Sequence, residues 1–273
     1  MNRTLHALLA AFLIAVAGAG SLSAQTGGIH AATLSERDSG TPNISTDELI
    51  RLMRADSVLV LDTRPHLEWS MSHIPGARNV APKPGMPQSQ YTSDVAEIGR
   101  LVNGDKRRPL VLYCNGPYCG KSRRVATDLL AAGYTNVRRY QLGVPVWRAL
   151  GGIMVIEPDG ARHVFEHDRT AVWLDVRDST DFVAGSLRGA RNLPASGLRP
   201  GKDQGEVKAA KDDGRLPMND HNTRIIVFGK EPTQVRAVAE ALAMEAFHNV
   251  AMFEGSLAEL RDAVRETGPA PGR

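Results

Sequence analysis

The chain carries two cysteines, Cys114 and Cys119, and both lie in one short stretch, Leu110-Val111-Leu112-Tyr113-Cys114-Asn115-Gly116-Pro117-Tyr118-Cys119-Gly120-Lys121-Ser122-Arg123. The four residues before Cys114 have strand character. Asn115, Gly116, Pro117 and Tyr118 are turn-formers, and a helix is expected from Ser122 to about Ala132. A thiol at the end of a buried strand, facing the N-terminus of the next helix, meets backbone N–H groups and the positive end of a helix dipole. That setting favours the thiolate, which is the nucleophilic form of sulfur. The stretch therefore reads as a nucleophile loop. Lys121 brings a cation beside it, able to attract an anionic substrate, and Ser122 is placed to cap the helix.

Cys119 has two readings. It is either a resolving cysteine that attacks or pairs with Cys114, or a small loop residue that only packs. The separation of five residues across a turn allows the sulfurs to meet without requiring it. It is not the Cys-x-x-Cys spacing of a thioredoxin-like dithiol site.

The elements that must hold this loop read as alternating strands and helices. Ser45-Thr46-Asp47-Glu48 opens a helix, with Ser45 or Thr46 as cap and Leu49, Ile50, Leu52 and Met53 on its apolar face. Ser57 to Asp62 is a continuous apolar run of the kind found in buried parallel strands. Ala81 to Gln90, with three prolines, is expected to be a loop, and Val95 to Leu101 a helix.

An internal repeat organises the chain. Val60-Leu61-Asp62-Thr63-Arg64 recurs as Trp173-Leu174-Asp175-Val176-Arg177. Gly76-Ala77-Arg78-Asn79 recurs as Gly189-Ala190-Arg191-Asn192, and Asn136-Val137 as Asn249-Val250, all at one offset. Two α/β domains in tandem follow, each a mainly parallel sheet flanked by helices. Ile225 to Phe228 is the counterpart of Leu110 to Tyr113, and a helix over Thr233 to Phe247 is the counterpart of the one after the cysteine loop. After Phe228, Gly229 stands where Cys114 stands in the first copy. The second copy therefore cannot perform the same covalent chemistry. The expected divisions are a signal peptide over 1–24, a flexible lead-in over 25–41, and a catalytic domain over 42–152. A junction over 153–169, a second domain over 170–265 and a tail over 266–273 complete the chain.

These residues resemble the rhodanese family of sulfurtransferases. The resemblance rests on the Asp62-Thr63-Arg64 strand end, the Ser72-His73-Ile74-Pro75-Gly76-Ala77 turn, the Tyr113-Cys114 junction, and Asn136-Val137 leading to Gly143 and Trp147. It implies that Cys114 takes a sulfane sulfur from a small anionic donor such as thiosulfate, becomes a persulfide, and passes the sulfur to a thiol or other thiophilic acceptor. It implies no cofactor and no metal. The loop from Asn115 through Gly116, Pro117, Tyr118, Cys119, Gly120 and Lys121 to Ser122 would hold the substrate. It is two residues longer than the common family pattern, and Lys121 stands where the family often has arginine. The second domain is expected to wall the cleft or dock a protein acceptor. Asp62 and Arg64 are expected to form a structural ion pair, His73 to pack the turn, and Trp147 to lie in the core.

Three other activities use residues of the same kinds. Cysteine phosphatases need an arginine six positions after the nucleophile to clamp phosphoryl oxygens. Gly120 and Val125 stand there instead. A dithiol oxidoreductase using Cys114 and Cys119, and a module that carries or senses sulfur without turnover, are both compatible with the residues. His163 and His167 flank Glu166 at helical spacing, but Ala161 to Phe165 reads as extended, which would separate them and leave no metal site.

Composition narrows the partners. The 273 residues carry 33 Lys and Arg against 30 Asp and Glu, a net charge of +3 of which Arg3 supplies one unit. No long basic cluster suggests nucleic acid. Arg3, the apolar run Leu5–Ala19 and the small residues Ser21 to Ala24 resemble an export signal. That predicts a periplasmic or secreted protein with no membrane contact once the signal is removed.

Overall fold

The computed structural model describes residues 40–87 and 90–265. The expected signal peptide 1–24, nearly all of the lead-in 25–41 and the tail 266–273 lie outside them. Among the described residues no helix is long and apolar enough to cross a membrane.

The first sheet has four parallel strands, β1 (Leu59–Asp62), β2 (Arg78–Asn79), β3 (Leu110–Tyr113) and β4 (Val137–Tyr140), in the order β2-β1-β3-β4. Strand side chains alternate between faces, so β1 and β3 feed two apolar layers. Leu61, Leu110 and Leu112 point to a layer with Ile98, Val125 and Leu129 from the helices Asp94–Leu101 and Gly120–Ala131. Val60, Val111 and Tyr113 point the other way, to a layer that also holds Trp147 and runs on into the second domain. Being buried on both faces is what made these strands read as continuous apolar runs.

The second sheet is parallel as well, with β5 (Met154–Val155), β6 (Val172–Asp175), β7 (Arg191–Asn192), β8 (Ile225–Phe228) and β9 (Val250–Met252) in the order β5-β9-β8-β6-β7. Strand registers confirm the tandem repeat: Asp62 pairs with Tyr113 as Asp175 pairs with Phe228. The described helix ends follow local chemistry. Ser45 accepts a hydrogen bond from the Glu48 N–H at 3.1 Å and caps the helix Thr46–Arg54. The hydroxyl of Thr46 instead meets Tyr140 Oη at 2.9 Å.

Two expectations need correction. Residues 153–169 are not a junction: β5 is an edge strand of the second sheet, and Pro158–His167 is a helix. The repeat explains why. Asn43 bridges Arg139 at the edge of the first sheet as β5 pairs with β9 in the second. A two-residue strand is too short to leave a periodic signal. Ala161 to Phe165 is helical rather than extended, and Pro158, at the first helical position, starts that helix. His163 and His167 accordingly share one face, with ring centroids 4.4 Å apart. Among the described residues, however, no cluster of three or more candidate ligands forms a metal site.

The two domains share one apolar core in which Val60, Ile74, Tyr113 and Trp147 join Met154, Val164, Trp173, Ile226 and Phe228. Main-chain bonds cross between them: His73 N–H donates to Val155 O at 2.9 Å, and Val155 N–H to His73 O at 2.8 Å. The His73 ring stacks on Trp69 with centroids 4.6 Å apart, and its Nδ1 lies 3.1 Å from Trp69 O. Burial pulls its pKa from 6.5 down to about 4, the Trp69 carbonyl and Asp62 working against that shift and Arg64 with it. Glu157 Oε1 lies 3.6 Å from the ring Nε2.

This histidine gives a pH dependence with a definite sign. The fold favours the neutral ring, so the unfolded chain binds the extra proton. The contribution is fully present above pH 6.5 and is lost as pH falls from 6.5 through 4. It amounts to up to about 3 kcal/mol. Denaturation midpoints of wild type and His73→Gln across that range should converge toward acid; a constant difference would show that the ring does not titrate there.

Candidate active site

The site is built on the C-terminal ends of β1 and β3. Asp62 and Arg64, at the end of β1, form a buried pair in which Arg64 Nη2 donates to Asp62 Oδ2 at 2.6 Å and Nε to both carboxylate oxygens at 3.0 Å. Burial works against the guanidinium charge, but the hydrogen bond and charge of Asp62 outweigh it and raise the Arg64 pKa. Thr63, between them, donates from N and Oγ1 to Tyr113 O at 3.1 and 3.0 Å. The Arg64 guanidinium carbon lies 5.7 Å from the centroid of the Tyr113 ring, and Tyr113 Oη accepts from Ile74 N at 3.1 Å. The residue immediately before Cys114 is thus held from several sides.

The same brace recurs around Asp175 and Arg177 in the copy without a cysteine. Asn79 Nδ2 donates to the carbonyls of Asp62 and Arg64, and Asn192 Nδ2 repeats this on Asp175 and Arg177. A device present in both copies serves the fold rather than the chemistry. Asp62 and Arg64 form the structural ion pair that was expected of them.

Cys114 is buried at the strand end and is joined to Cys119 by a disulfide, with the Cα atoms 6.1 Å apart. That separation lies within the ordinary disulfide range. Cys119 is the N-cap of the helix Gly120–Ala131, so the bond holds the Cys114 sulfur at a helix N-terminus. Gly120, Lys121 and Ser122 form the first turn, where N–H groups have no carbonyl partner within the helix, and no acidic residue stands there. Ser122 does not cap this helix. It is the third helical residue and is buried, because the chain enters helical geometry two residues earlier than expected.

The outer loop is exposed at Asn115 and fully so at Tyr118, whereas Gly116 is buried. Asn115 Nδ2 donates to Glu68 Oε2, on the helix His66–Met71. The loop's inner wall is Gly143, with φ at +63°. A Cβ there would stand 2.3 Å from Cys114 O and 2.5 Å from Gly116 N, so only glycine permits this approach. Trp147 packs edge-on against Tyr140 and donates from Nε1 to Ile153 O at 3.0 Å, in the core as expected.

In the second copy a Cβ on Gly229 would lie 2.6 Å from Val176 Cγ2. Val176 replaces the hydrogen-bonding Thr63, and its methyl group fills the space a nucleophile would need. The connection from β8 to β9 is also two residues shorter than that from β3 to β4.

A cleft of about 510 Å³ opens beside the loop, between the domains. Asn115, Glu68, Arg64 and Arg148 line it from the first domain, and Arg224 with Asn249 from the second. Sequence reasoning did not single out Glu68, Arg148 or Arg224, which carry no motif and converge only through the packing of the two domains. Lys121 lies at the helix start and not among the cleft residues.

Comparison with known proteins bears on these observations. A model of the rhodanese-like domain matches the chain twice, over residues 45–150 and 161–263. The HTH-type transcriptional regulator Rv0324 of Mycobacterium tuberculosis is 36% identical over 117 residues, which are 41% of this chain and 45% of that protein. The chain thus spans less than half the length of that curated relative. A thiosulfate sulfurtransferase from Pseudomonas aeruginosa is 22% identical, with 84% of this chain and 46% of that one covered and a TM-score of 0.36. An anaerobic ergothioneine biosynthesis enzyme from Chlorobium limicola is 19% identical, with 82% and 61% covered and a TM-score of 0.37.

Proposed function

The chain belongs to the rhodanese-like domain family, and from that premise we propose that it is a sulfurtransferase whose nucleophile is Cys114 and whose resolving group is Cys119. One observation carries the reading: the two cysteines meet at the N-cap of the helix that follows β3. A thiol released there would face a helix dipole and unpaired N–H groups, with Lys121 in the same turn. All three favour a thiolate and an anionic sulfur beside it.

The chemistry runs from the reduced loop. A thiol reductant opens the disulfide, two thiols giving up two electrons and becoming a disulfide themselves. The Cys114 thiolate attacks the outer sulfur of a thiosulfate-like donor, a sulfur–sulfur bond forms, and sulfite leaves with the pair from the broken bond. The persulfide then has two fates. An acceptor thiolate takes the outer sulfur and returns the Cys114 thiolate. Alternatively, the Cys119 thiolate attacks the Cys114 sulfur, expels hydrosulfide and restores the disulfide. Export through residues 1–24 would place the protein where such a disulfide persists. The second domain, which lacks the nucleophile, would wall the cleft and could dock a protein acceptor. No metal or cofactor enters the scheme.

The pairing of the cysteines also favours a second reading, a thiol-redox module that carries or senses sulfur without turnover. The test is a donor titration of the reduced protein without acceptor. Sulfurtransfer with resolution gives one equivalent each of sulfite and hydrosulfide and leaves the disulfide. Cys119→Ser should release sulfite but no hydrosulfide. If wild type gives no sulfite with the donor, yet an added small-molecule disulfide oxidises its two thiols to the Cys114–Cys119 disulfide and is itself reduced to two thiols, the redox module is the correct assignment.

A further inference from the structure

The two sulfurs of the disulfide differ in access. Cys114 is buried, and its carbonyl, closed over by Gly143, accepts from Val144 N–H at 3.2 Å. Tyr113 before it and Gly116 after it are buried as well. Cys119 is partly exposed, although its N–H donates to Gly116 O at 3.0 Å. Its two neighbours offer little shielding, because Tyr118 stands fully in solvent and Gly120 has no side chain. Beyond the adjoining backbone, a Cβ built on Gly120 would meet only Arg123 Nη2, at 3.8 Å.

That difference sets the direction of thiol–disulfide exchange. A thiolate attacks one sulfur in line with the sulfur–sulfur bond, from the side opposite the sulfur that leaves, so access to that side controls the rate. Attack on Cys114 would have to come from the interior, where Gly143 closes on the loop. Attack on Cys119 comes from the side away from Cys114, which faces out of the loop. Stabilisation of the leaving sulfur does not separate the two, because both lie at the N-terminus of the helix Gly120–Ala131. Access decides.

We propose that Cys119 is a thiol-modification site and the entry sulfur of this disulfide: an outside monothiol attacks it and stays there as a mixed disulfide, while Cys114 is released as the thiolate. The monothiol first gives its proton to solvent. A bond forms between its sulfur and that of Cys119, and the Cys114–Cys119 bond breaks with its electron pair on Cys114. The incoming sulfur is thereby oxidised and the Cys114 sulfur reduced. A second monothiol then attacks the first, leaves with it as a small disulfide, and frees the Cys119 thiolate. The order has a functional consequence. While the first thiol occupies Cys119, the resolving group is blocked, so Cys119 cannot expel the outer sulfur of a Cys114 persulfide as hydrosulfide. That consequence rests on the sulfurtransferase reading, whereas the entry site needs only the disulfide.

The test starts from the full chain in its oxidised form. Glutathione is added, N-ethylmaleimide stops the exchange at successive times, and tandem mass spectrometry places each group on the peptide that contains both cysteines. Extrapolation to zero time removes any migration of glutathione between the two sulfurs. At that limit, glutathione on Cys119 with maleimide on Cys114 should exceed the reverse arrangement about tenfold or more. An equal split, or glutathione mainly on Cys114, overturns the proposal. A second series includes thiosulfate, and peptides with glutathione on Cys119 should then carry one extra sulfur on Cys114. The two readings fail separately. Glutathione on Cys119 with no extra sulfur on Cys114, even in the fully reduced protein, sinks the sulfurtransferase assignment and leaves the entry site standing. A first adduct on Cys114, with extra sulfur there once the loop is fully reduced, sinks only the entry site.

Discussion

Cys114→Ser is expected to lower sulfur transfer by a factor of about 10³ or more, to the level of the uncatalysed reaction. The hydroxyl that replaces the thiol is not ionised near neutral pH, and it forms no bond to a sulfane sulfur that an acceptor thiolate could then cleave. No other group can take its place. Cys119 has its own position at the helix N-cap, and Gly229 occupies the equivalent position in the second domain. The fold should survive the substitution once the disulfide is absent, because Tyr113 remains held by Thr63 and Ile74. Steady-state transfer from thiosulfate to a thiol, measured under reducing conditions, checks this. Activity within a few-fold of wild type would move the nucleophile elsewhere.

The largest stability effect is expected at Arg64. Arg64→Met leaves the fully buried Asp62 carboxylate without its cation and removes a donor from Ser72 O. Stripping one partner from a buried pair costs about 3–5 kcal/mol. The second domain supplies an internal control. Asp175 is equally buried, but it also accepts from Ser186 Oγ at 2.6 Å, and Arg177 is more exposed than Arg64. Arg177→Met should therefore cost less than Arg64→Met. Urea denaturation of the two variants measures the difference; equal losses, or a loss below about 1 kcal/mol at Arg64, would show that the pair contributes little. Loss of Arg64 should also lower activity indirectly, because the brace under Tyr113 sets where Cys114 begins.

The sequence carried the repeat, the strands and the strand-to-helix loop that holds both cysteines because each leaves a local mark. Doubly buried strands read as apolar runs, and the Asp-x-Arg and Gly-Ala-Arg-Asn segments recur because each copy needs the same clamp. What the sequence did not reveal depends on distant parts of the chain. The edge strand Met154–Val155 gains its identity only from β9, nearly one hundred residues later. The cleft arginines become neighbours only when the domains pack on one core. The pairing of Cys114 with Cys119 stood between the two. Spacing allowed it, and the approach of Gly143 to Cys114 O shapes the loop in which it forms.

The central claim is that Cys114 carries the sulfur in transit. The most direct test is the mass of the peptide containing Cys114 and Cys119, taken without reductant from Cys119→Ser protein that has been reduced, freed of reductant and exposed to thiosulfate. The account predicts one additional sulfur on Cys114, removed on later addition of an acceptor thiol. A peptide that keeps an unmodified Cys114 thiol after exposure would contradict it.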